Sequence, residues 1–351
     1  ADELYRAALA DFQAIGHRLG AANARKTLGD LALRQDDLAG ADAQYQAALA
    51  DFQTIGDRLG TANARKALGD LAQRQDDLVG ADARYQAALA AFQTIGDRLG
   101  SANARKALGD LALRQADLVA AEQYYWAALV DFQAIGDRLG TANTRSALGD
   151  LALRQADLAE AERHYWAALA DYQAIGARLG VANTRRSLGD IALPQADLAE
   201  AEHHYWAALA EFQTIGARLG EANVANDLAS VHRLRASAAI KESNVVAQQA
   251  EYREALQYLD RSADLFKSIG DAASLAVVQR SRAHILDELE DSEFNEIIAA
   301  FARSLTASLT GASQATAMRS AGDIIKFGKH LIDEGRFHDA LFIMTRLTES
   351  L

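Results

Sequence analysis

The segment LGDLALRQ at residues 28–35 is the most informative in the chain, because close copies of it follow at steps of 40 residues. The copies are LGDLAQRQ at 68–75, LGDLALRQ at 108–115 and 148–155, and LGDIALPQ at 188–195. The segment IGHRLG at 15–20 keeps the same step, as IGDRLG at 55–60, 95–100 and 135–140 and as IGARLG at 175–180 and 215–220. A fixed period of this length indicates a repeat architecture in which each unit packs on its neighbours.

Each unit contains two predicted helices joined by short turns. In the second unit, Gly56 can take the left-handed conformation that ends a helix, and Asp57 can cap the next one. Small and apolar residues then follow at helical spacing over 58–75 and again over 78–95. Turns this short favour antiparallel neighbours, and neither helix can bury its apolar stripe alone. We therefore expect stacked helix pairs that share one core.

Small residues at two places in every unit resemble those of a known family. The pairs are Gly29 with Ala41, Gly69 with Ala81, Gly109 with Ala121, Gly149 with Ala161, and Gly189 with Ala201. This pattern resembles the tetratricopeptide repeat, and the 40-residue period resembles the longer units of kinesin light chains, polarity scaffolds and bacterial signalling proteins. The resemblance implies an all-α, right-handed superhelical solenoid of antiparallel helix pairs. The sequence departs from the family at Arg25, Arg65, Arg105, Arg145 and Arg185, where an aromatic residue or leucine is usual.

The pattern changes after residue 220, which predicts two regions. We expect a regular array over 1–220, made of a leading half-repeat and five repeats, and divergent repeats over 221–351. Ala255 takes the small position 54 residues after Ala201, so an insertion is expected at about 223–249.

The remaining stretch also carries repeat-like patterns. Residues 272–309 resemble a divergent helix pair. Matches to the common repeat near the end are Ile324, Phe327, Gly328, Leu331, Gly335, Phe337 and Ala340.

Composition limits the functions open to this chain of 351 residues. Its net charge is −12, whereas duplex binding normally requires a basic surface, so no nucleic acid partner is expected. No apolar run approaches the ~20 residues of a membrane span and no signal peptide is visible, so no membrane association is expected. The lack of cysteine excludes disulfides and thiolate-bound metals, and it fits a cytoplasmic protein.

No set of residues predicts catalysis, a metal site or a cofactor. Glu200 and His204 share a helix face and could supply two metal ligands, but a third is not evident. The acidic pairs Asp36–Asp37 and Asp76–Asp77 lie in predicted turns, where aspartate caps helices. Nucleotide-binding glycine loops are absent. We therefore expect a protein that is not an enzyme.

A polar stripe on the first helices is the predicted binding surface. Its positions, at i, i+3, i+7 and i+11, share one helix face, and in the resembling family the first helices line the concave groove. The residues are Asn23, Lys26, Asp30, Arg34, Asn63, Lys66, Asp70, Arg74, Asn103, Lys106, Asp110, Arg114, Asn143, Asp150, Arg154, Asn183, Arg186 and Asp190. Asparagine can pair with a peptide backbone, and the cations can pair with carboxylates. The alternative is a solvated face on which Lys26 and Asp30 pair with each other.

A tryptophan stripe on the second helices breaks the symmetry of the repeats. Gln46 and Gln86 are followed at the same position by Trp126, Trp166 and Trp206. Tryptophan is enriched at binding hot spots, so these rings are a candidate interaction patch. The alternative is that each ring packs on the adjacent repeat.

These features favour a scaffold that binds a protein or an extended peptide. A second hypothesis is a sensor or regulatory arm of a larger signalling protein, such as an ATPase switch or a caspase-like protease. It is motivated by the start of the chain at Ala1, without methionine and within half a repeat. A third hypothesis is a self-assembling array, which would make the chain a homo-oligomer.

Overall fold

A computed structural model describes residues 2–289, which are helical apart from short connections and contain no β-strand. The helices are α1 (Asp2–Ala14), α2 (Arg18–Arg34), α3 (Leu38–Ile55), α4 (Arg58–Arg74), α5 (Leu78–Ile95), α6 (Arg98–Arg114), α7 (Leu118–Ile135), α8 (Arg138–Arg154), α9 (Leu158–Ala174), α10 (Arg178–Ala192), α11 (Leu198–Ile215), α12 (Arg218–Lys241) and α13 (Val245–Ile269). Residues 272–289 are helical as well. Pro194 lies in a 3₁₀ turn, Leu193–Gln195, that follows α10.

Each helix pair begins and ends as the turn chemistry predicts. The Asp57 carboxylate accepts a hydrogen bond from the Gly60 amide at 3.0 Å, which satisfies an N–H that the helix itself leaves unpaired. Gly56 ends the preceding helix with a φ of 73°, in the left-handed region. The same cap is absent at Ala177 and Ala217, where alanine replaces the aspartate.

The close approach of the two helices in a repeat depends on a glycine and a tyrosine. In the third repeat, a Cβ atom at Gly109 would lie only 2.6 Å from the ring of Tyr125, and Tyr125 is fully buried. The same relationship holds between Gly29 and Tyr45 and in every other repeat of the regular array. This confirms the predicted packing of the first helix on the second helix of its own repeat.

Ion pairs between the two helices explain three of the five unusual arginines. Arg105 pairs with Asp131, and equivalent pairs join Arg25 to Asp51 and Arg145 to Asp171. All six side chains are partly buried, and the carboxylate compensates the charge of each guanidinium. The residue that corresponds to Asp131 in the second repeat is Ala91.

The chain divides into two compact units, Ala1–Ile215 and Gly216–Leu351. In the second unit α12 has 24 residues and α13 has 25, compared with 17 in α4 and 18 in α5. The insertion therefore adds about two turns to each helix of this pair. Ala255 is fully buried in a core with Leu259 and Phe266 from α13 and with Ile285 from the helical residues that follow.

The repeat-like residues near the end of the chain, from Ile324 onward, and the part of 272–309 beyond residue 289 lie outside the described residues. Within the described part, no helix is long and apolar enough to cross a membrane.

Candidate functional site

The predicted polar stripe lines two adjoining clefts between the first helices of repeats three, four and five. The first cleft has a volume of about 310 Å³ and is bounded by Lys106 and Asp110 on α6 and by Asn143, Ser146 and Asp150 on α8. The second has about 570 Å³ and lies between α8 and α10. The two clefts share Asn143 and Tyr172, so the structure brings the central members of the stripe together in one groove.

All five carboxylates of the stripe already accept a hydrogen bond. In each repeat the buried tyrosine of the second helix donates its hydroxyl hydrogen to the stripe aspartate, as Tyr125 does to Asp110 at 2.9 Å. The other pairs are Tyr45 with Asp30, Tyr85 with Asp70, Tyr165 with Asp150 and Tyr205 with Asp190. Burial, reinforced by the neighbouring carboxylate, raises the pKa of Tyr125, which keeps the phenol protonated as a donor.

Lysine neutralises the same carboxylates in the first three repeats. The ammonium nitrogens of Lys26, Lys66 and Lys106 lie 2.8, 2.9 and 2.9 Å from the aspartates four residues later. These pairs match the alternative in which Lys26 and Asp30 bind each other.

The fourth repeat differs because Ser146 occupies the lysine position. Among the described residues, Asp150 accepts one hydrogen bond, from Tyr165 at 2.6 Å, and makes no direct ion pair. Its side chain is accessible but lies between the walls of the groove. This partial desolvation raises the pKa of Asp150, while the Tyr165 hydrogen bond and the more distant charges of Lys106 and Arg154 oppose the rise.

The asparagines of the stripe are not equivalent. Asn143 accepts a hydrogen bond from the Tyr172 hydroxyl at 2.6 Å, and burial raises the pKa of Tyr172 to about 12. Phenylalanine occupies the Tyr172 position in the neighbouring repeats, at Phe132 and Phe212. Asn103 and Asn183 are exposed, and Asn183 lines the second cleft.

Two of the arginines at the end of the stripe connect consecutive repeats. Arg114 donates to the Gln73 carbonyl at 3.0 Å and to Asp76 at 2.9 Å, and Arg74 lies 3.5 Å from Asp36. Alanine replaces the corresponding acid at Ala116, so the equivalent bridge from Arg154 cannot form.

An apolar ladder beside the stripe was not predicted from the sequence. Leu139 lies four residues before Asn143 and Leu179 four residues before Asn183, so they continue the same helix faces. Both leucines are about half exposed, at 50% and 54%, and they line the second cleft together with Ile215. Their i−4 spacing from the asparagines was the signal in the sequence that could have revealed them.

Solved structures resemble this chain, although no protein-family model and no curated protein matches its sequence. The apo quorum sensor NprR from B. thuringiensis has a TM-score of 0.56 at 12% identity, with 99% of this chain and 97% of that chain covered. The Rap conjugation gene regulator of plasmid pLS20, in complex with a Phr peptide, has a TM-score of 0.52 at 14% identity over 79% of this chain and 76% of that one.

A third similar structure has a sensor built of tetratricopeptide repeats. It is the signal transduction ATPase with a tetratricopeptide repeat sensor from Pyrococcus horikoshii, with a TM-score of 0.59 at 14% identity, covering 97% of this chain and 55% of that chain. The chain has the tetratricopeptide-repeat fold. At these identities the likeness establishes the architecture, and the groove just described is a surface of that architecture.

Trp126 and Trp166 lie at the junctions between consecutive tetratricopeptide repeats. Trp126 and Trp166 meet the imidazoles of His164 and His204 edge to face, with ring centroids 5.8 and 5.4 Å apart. The three rings nevertheless remain 40–45% exposed. Each tryptophan therefore presents part of its ring to solvent, and Trp126 and Trp166 also pack on the adjacent repeat.

The two junction histidines are buried beside a glutamate of their own helix. His164 Nε2 lies 3.0 Å from Glu160, and His204 Nε2 lies 3.6 Å from Glu200. Burial lowers the pKa of both imidazoles despite the opposing effect of the glutamates. In residues 2–289, no group of three or more histidine or acidic side chains is arranged to hold a metal ion.

Proposed function

We propose that this chain is a non-enzymatic scaffold that binds an extended peptide or protein segment along the first helices of repeats three to five. The observation that carries the proposal is the continuity of the two clefts at Asn143 and Tyr172. An extended segment lying across α6, α8 and α10 can contact both clefts at once. Such a segment needs backbone partners, and the exposed amides of Asn103 and Asn183 offer both a donor and an acceptor.

The groove combines features that suit a peptide better than a small molecule. It is open along its length and lined by polar groups, with apolar side chains concentrated in the second cleft. Two solved structures of this fold support the proposal, because one is a quorum sensor and the other is a gene regulator in complex with a peptide. The expected cytoplasmic location remains a prediction.

A selection from random peptides tests this function. Phage-displayed dodecapeptides are selected on the full chain, and the affinities of the selected sequences are measured by fluorescence polarisation. The double variant Asn103→Ala/Asn183→Ala should weaken binding on the order of tenfold, since each substitution removes hydrogen bonds of about 0.5–1.5 kcal/mol. The matched control, Gln133→Ala/Gln173→Ala, removes exposed amides from the second helices and should leave affinity unchanged. Failure to select any binder, or binding that is indifferent to the groove variant, contradicts the proposal.

The regulatory-arm hypothesis is a second candidate because the archaeal ATPase uses this fold as its sensor. The chain spans about half of that protein, so a catalytic domain encoded next to this segment is the expected signature. Sequencing the complete gene tests the hypothesis, and an open reading frame that ends with the repeats contradicts it.

A further inference from the structure

The Lys–Asp ladder along the groove is interrupted at one position. In the first three repeats, a lysine side chain lies over the stripe aspartate at 2.8–2.9 Å and neutralises it. In the fourth repeat, Ser146 is too short to do so, and it lines a cleft of about 310 Å³ together with Asp150. The cleft occupies the side on which a lysine would extend from position 146, so the repeat lacks both the charge and the volume of that side chain.

The groups around Asp150 leave its negative charge only partly compensated. Tyr165 donates one hydrogen bond, at 2.6 Å, and a carboxylate has capacity for several more. Lys106 is nearby, but its ammonium group is bound to Asp110 at 2.9 Å. Arg154 acts on Asp150 through its charge alone. Within residues 2–289, a ligand cation in the cleft would therefore find a carboxylate that is hydrogen-bonded by the Tyr165 hydroxyl and by no cationic side chain.

The adjoining second cleft favours an apolar side chain of the ligand. Leu139, Leu179 and Ile215 line it, and all three are exposed to solvent by more than a third of their surface. Adjacent helices lie on the order of 10 Å apart, and an extended chain advances about 3.3 Å per residue. The two clefts are thus separated by about three residues of an extended peptide.

We propose that the Ser146–Asp150 cleft binds a positively charged group of the peptide, with an apolar side chain about three residues away in the Leu139–Leu179 cleft. The charged group is an ammonium or guanidinium, supplied either by a lysine or arginine side chain or by a free N-terminal amine. This inference rests on the proposed peptide-binding function and names the ligand class that the groove selects. The overall charge of −12 also favours the approach of a cationic ligand.

The repeats themselves provide the test variants. Ser146→Lys restores the arrangement of the first three repeats, with an ammonium group placed on Asp150. Asp150→Asn removes the charge but keeps an oxygen that can accept from Tyr165. Gln133→Lys is the matched control, because it adds the same ammonium group at an exposed position on a second helix that lines neither cleft.

The probes are the dodecapeptides selected on the wild-type chain, with their basic residue replaced by glutamine or their N-terminus acetylated. We expect Ser146→Lys and Asp150→Asn to weaken binding on the order of tenfold or more, and Gln133→Lys to leave it unchanged. Loss of affinity on glutamine replacement assigns the cation to a side chain, and loss on acetylation assigns it to the terminus. The charged subsite is refuted if neither peptide modification changes the affinity. It is also refuted if Ser146→Lys binds the peptide as tightly as the wild type while Asn103→Ala/Asn183→Ala binds it more weakly. In either case the proposed groove function stands. If no peptide responds to any groove variant, both proposals fall.

Discussion

A Cβ atom on Gly109 would lie 2.6 Å from the ring of Tyr125, closer than carbon atoms approach without displacement. Tyr125 cannot easily move aside, because its ring is buried and its hydroxyl is bound to Asp110 at 2.9 Å. One glycine–tyrosine contact therefore sets both the distance between two helices and the position of a groove carboxylate. Helix packing and the proposed binding surface are coupled through this side chain in each of the regular repeats.

Replacing Gly109 with leucine should destabilise the chain by about 1–3 kcal/mol, since the added side chain overpacks the contact with Tyr125. Thermal unfolding followed by circular dichroism measures the effect. Asn103→Leu is the control, because position 103 lies on the same helix but is exposed. Equal melting temperatures for Gly109→Leu and the control would show that the helix pairing described here is wrong.

Tyr172→Phe should cost about 0.5–1.5 kcal/mol, because it removes the hydroxyl that binds Asn143 while leaving a ring that other repeats accept. The reciprocal change, Phe132→Tyr, places a hydroxyl on the corresponding side of Asn103 and should stabilise the chain by a similar or smaller amount. Urea denaturation of the two variants measures both effects. A Tyr172→Phe chain as stable as the wild type would show that the 2.6 Å hydrogen bond contributes nothing net.

Acidification should destabilise the chain through its buried histidines. Burial lowers the pKa of His164 and His204 from the usual 6.5, so the unfolded chain binds protons before the folded chain does. Their contribution to stability is therefore complete above pH ~6.5 and is lost as the pH falls below it. We expect the double variant His164→Tyr/His204→Tyr to show a smaller loss of unfolding free energy between pH 7.5 and pH 5.5, and Tyr124 is the precedent for tyrosine at this position. Parallel pH profiles for the variant and the wild type would contradict this assignment.

The tryptophans are expected to contribute to both stability and association. Because Gln46 and Gln86 occupy the equivalent position, the sequence predicts that replacing all three tryptophans leaves stability nearly unchanged. The edge-to-face contact of Trp166 with His204 changes that expectation, and Trp166→Gln should cost about 0.5–1.5 kcal/mol. The exposed part of the tryptophan stripe remains a predicted contact surface. Sedimentation velocity of the triple variant Trp126→Gln/Trp166→Gln/Trp206→Gln, compared with the wild type, tests this prediction. If the triple variant has the unfolding free energy and the sedimentation behaviour of the wild type, the tryptophan stripe has neither of the two proposed roles.

Much of the fold was predictable because it follows from short-range rules repeated five times. The 40-residue period predicts the helix pairs, and Asp57 and Gly56 predict where helices begin and end. The small residues predict the close packing at Gly109. For the candidate groove, the sequence predicts only which residues share a helix face. Helical spacing tells which residues share a face, but not which atoms the ends of side chains reach. The hydroxyl of Tyr125 on Asp110 does not follow from periodicity, since it depends on a contact across the helix pair. The loss of the lysine partner at Asp150, in contrast, is readable from Ser146 in the sequence.

Site-specific photo-crosslinking tests the central claim most directly, because it locates a bound peptide without assuming its sequence. A benzophenone amino acid is introduced at position 103 or 183 on the polar stripe of the first helices, or at position 133 or 173 on the exposed side of the second helices. Each chain is then irradiated with a selected dodecapeptide. We expect crosslinked peptide from positions 103 and 183 and none from positions 133 and 173. Crosslinking confined to the second-helix positions would contradict binding in the groove and place the ligand on the opposite surface.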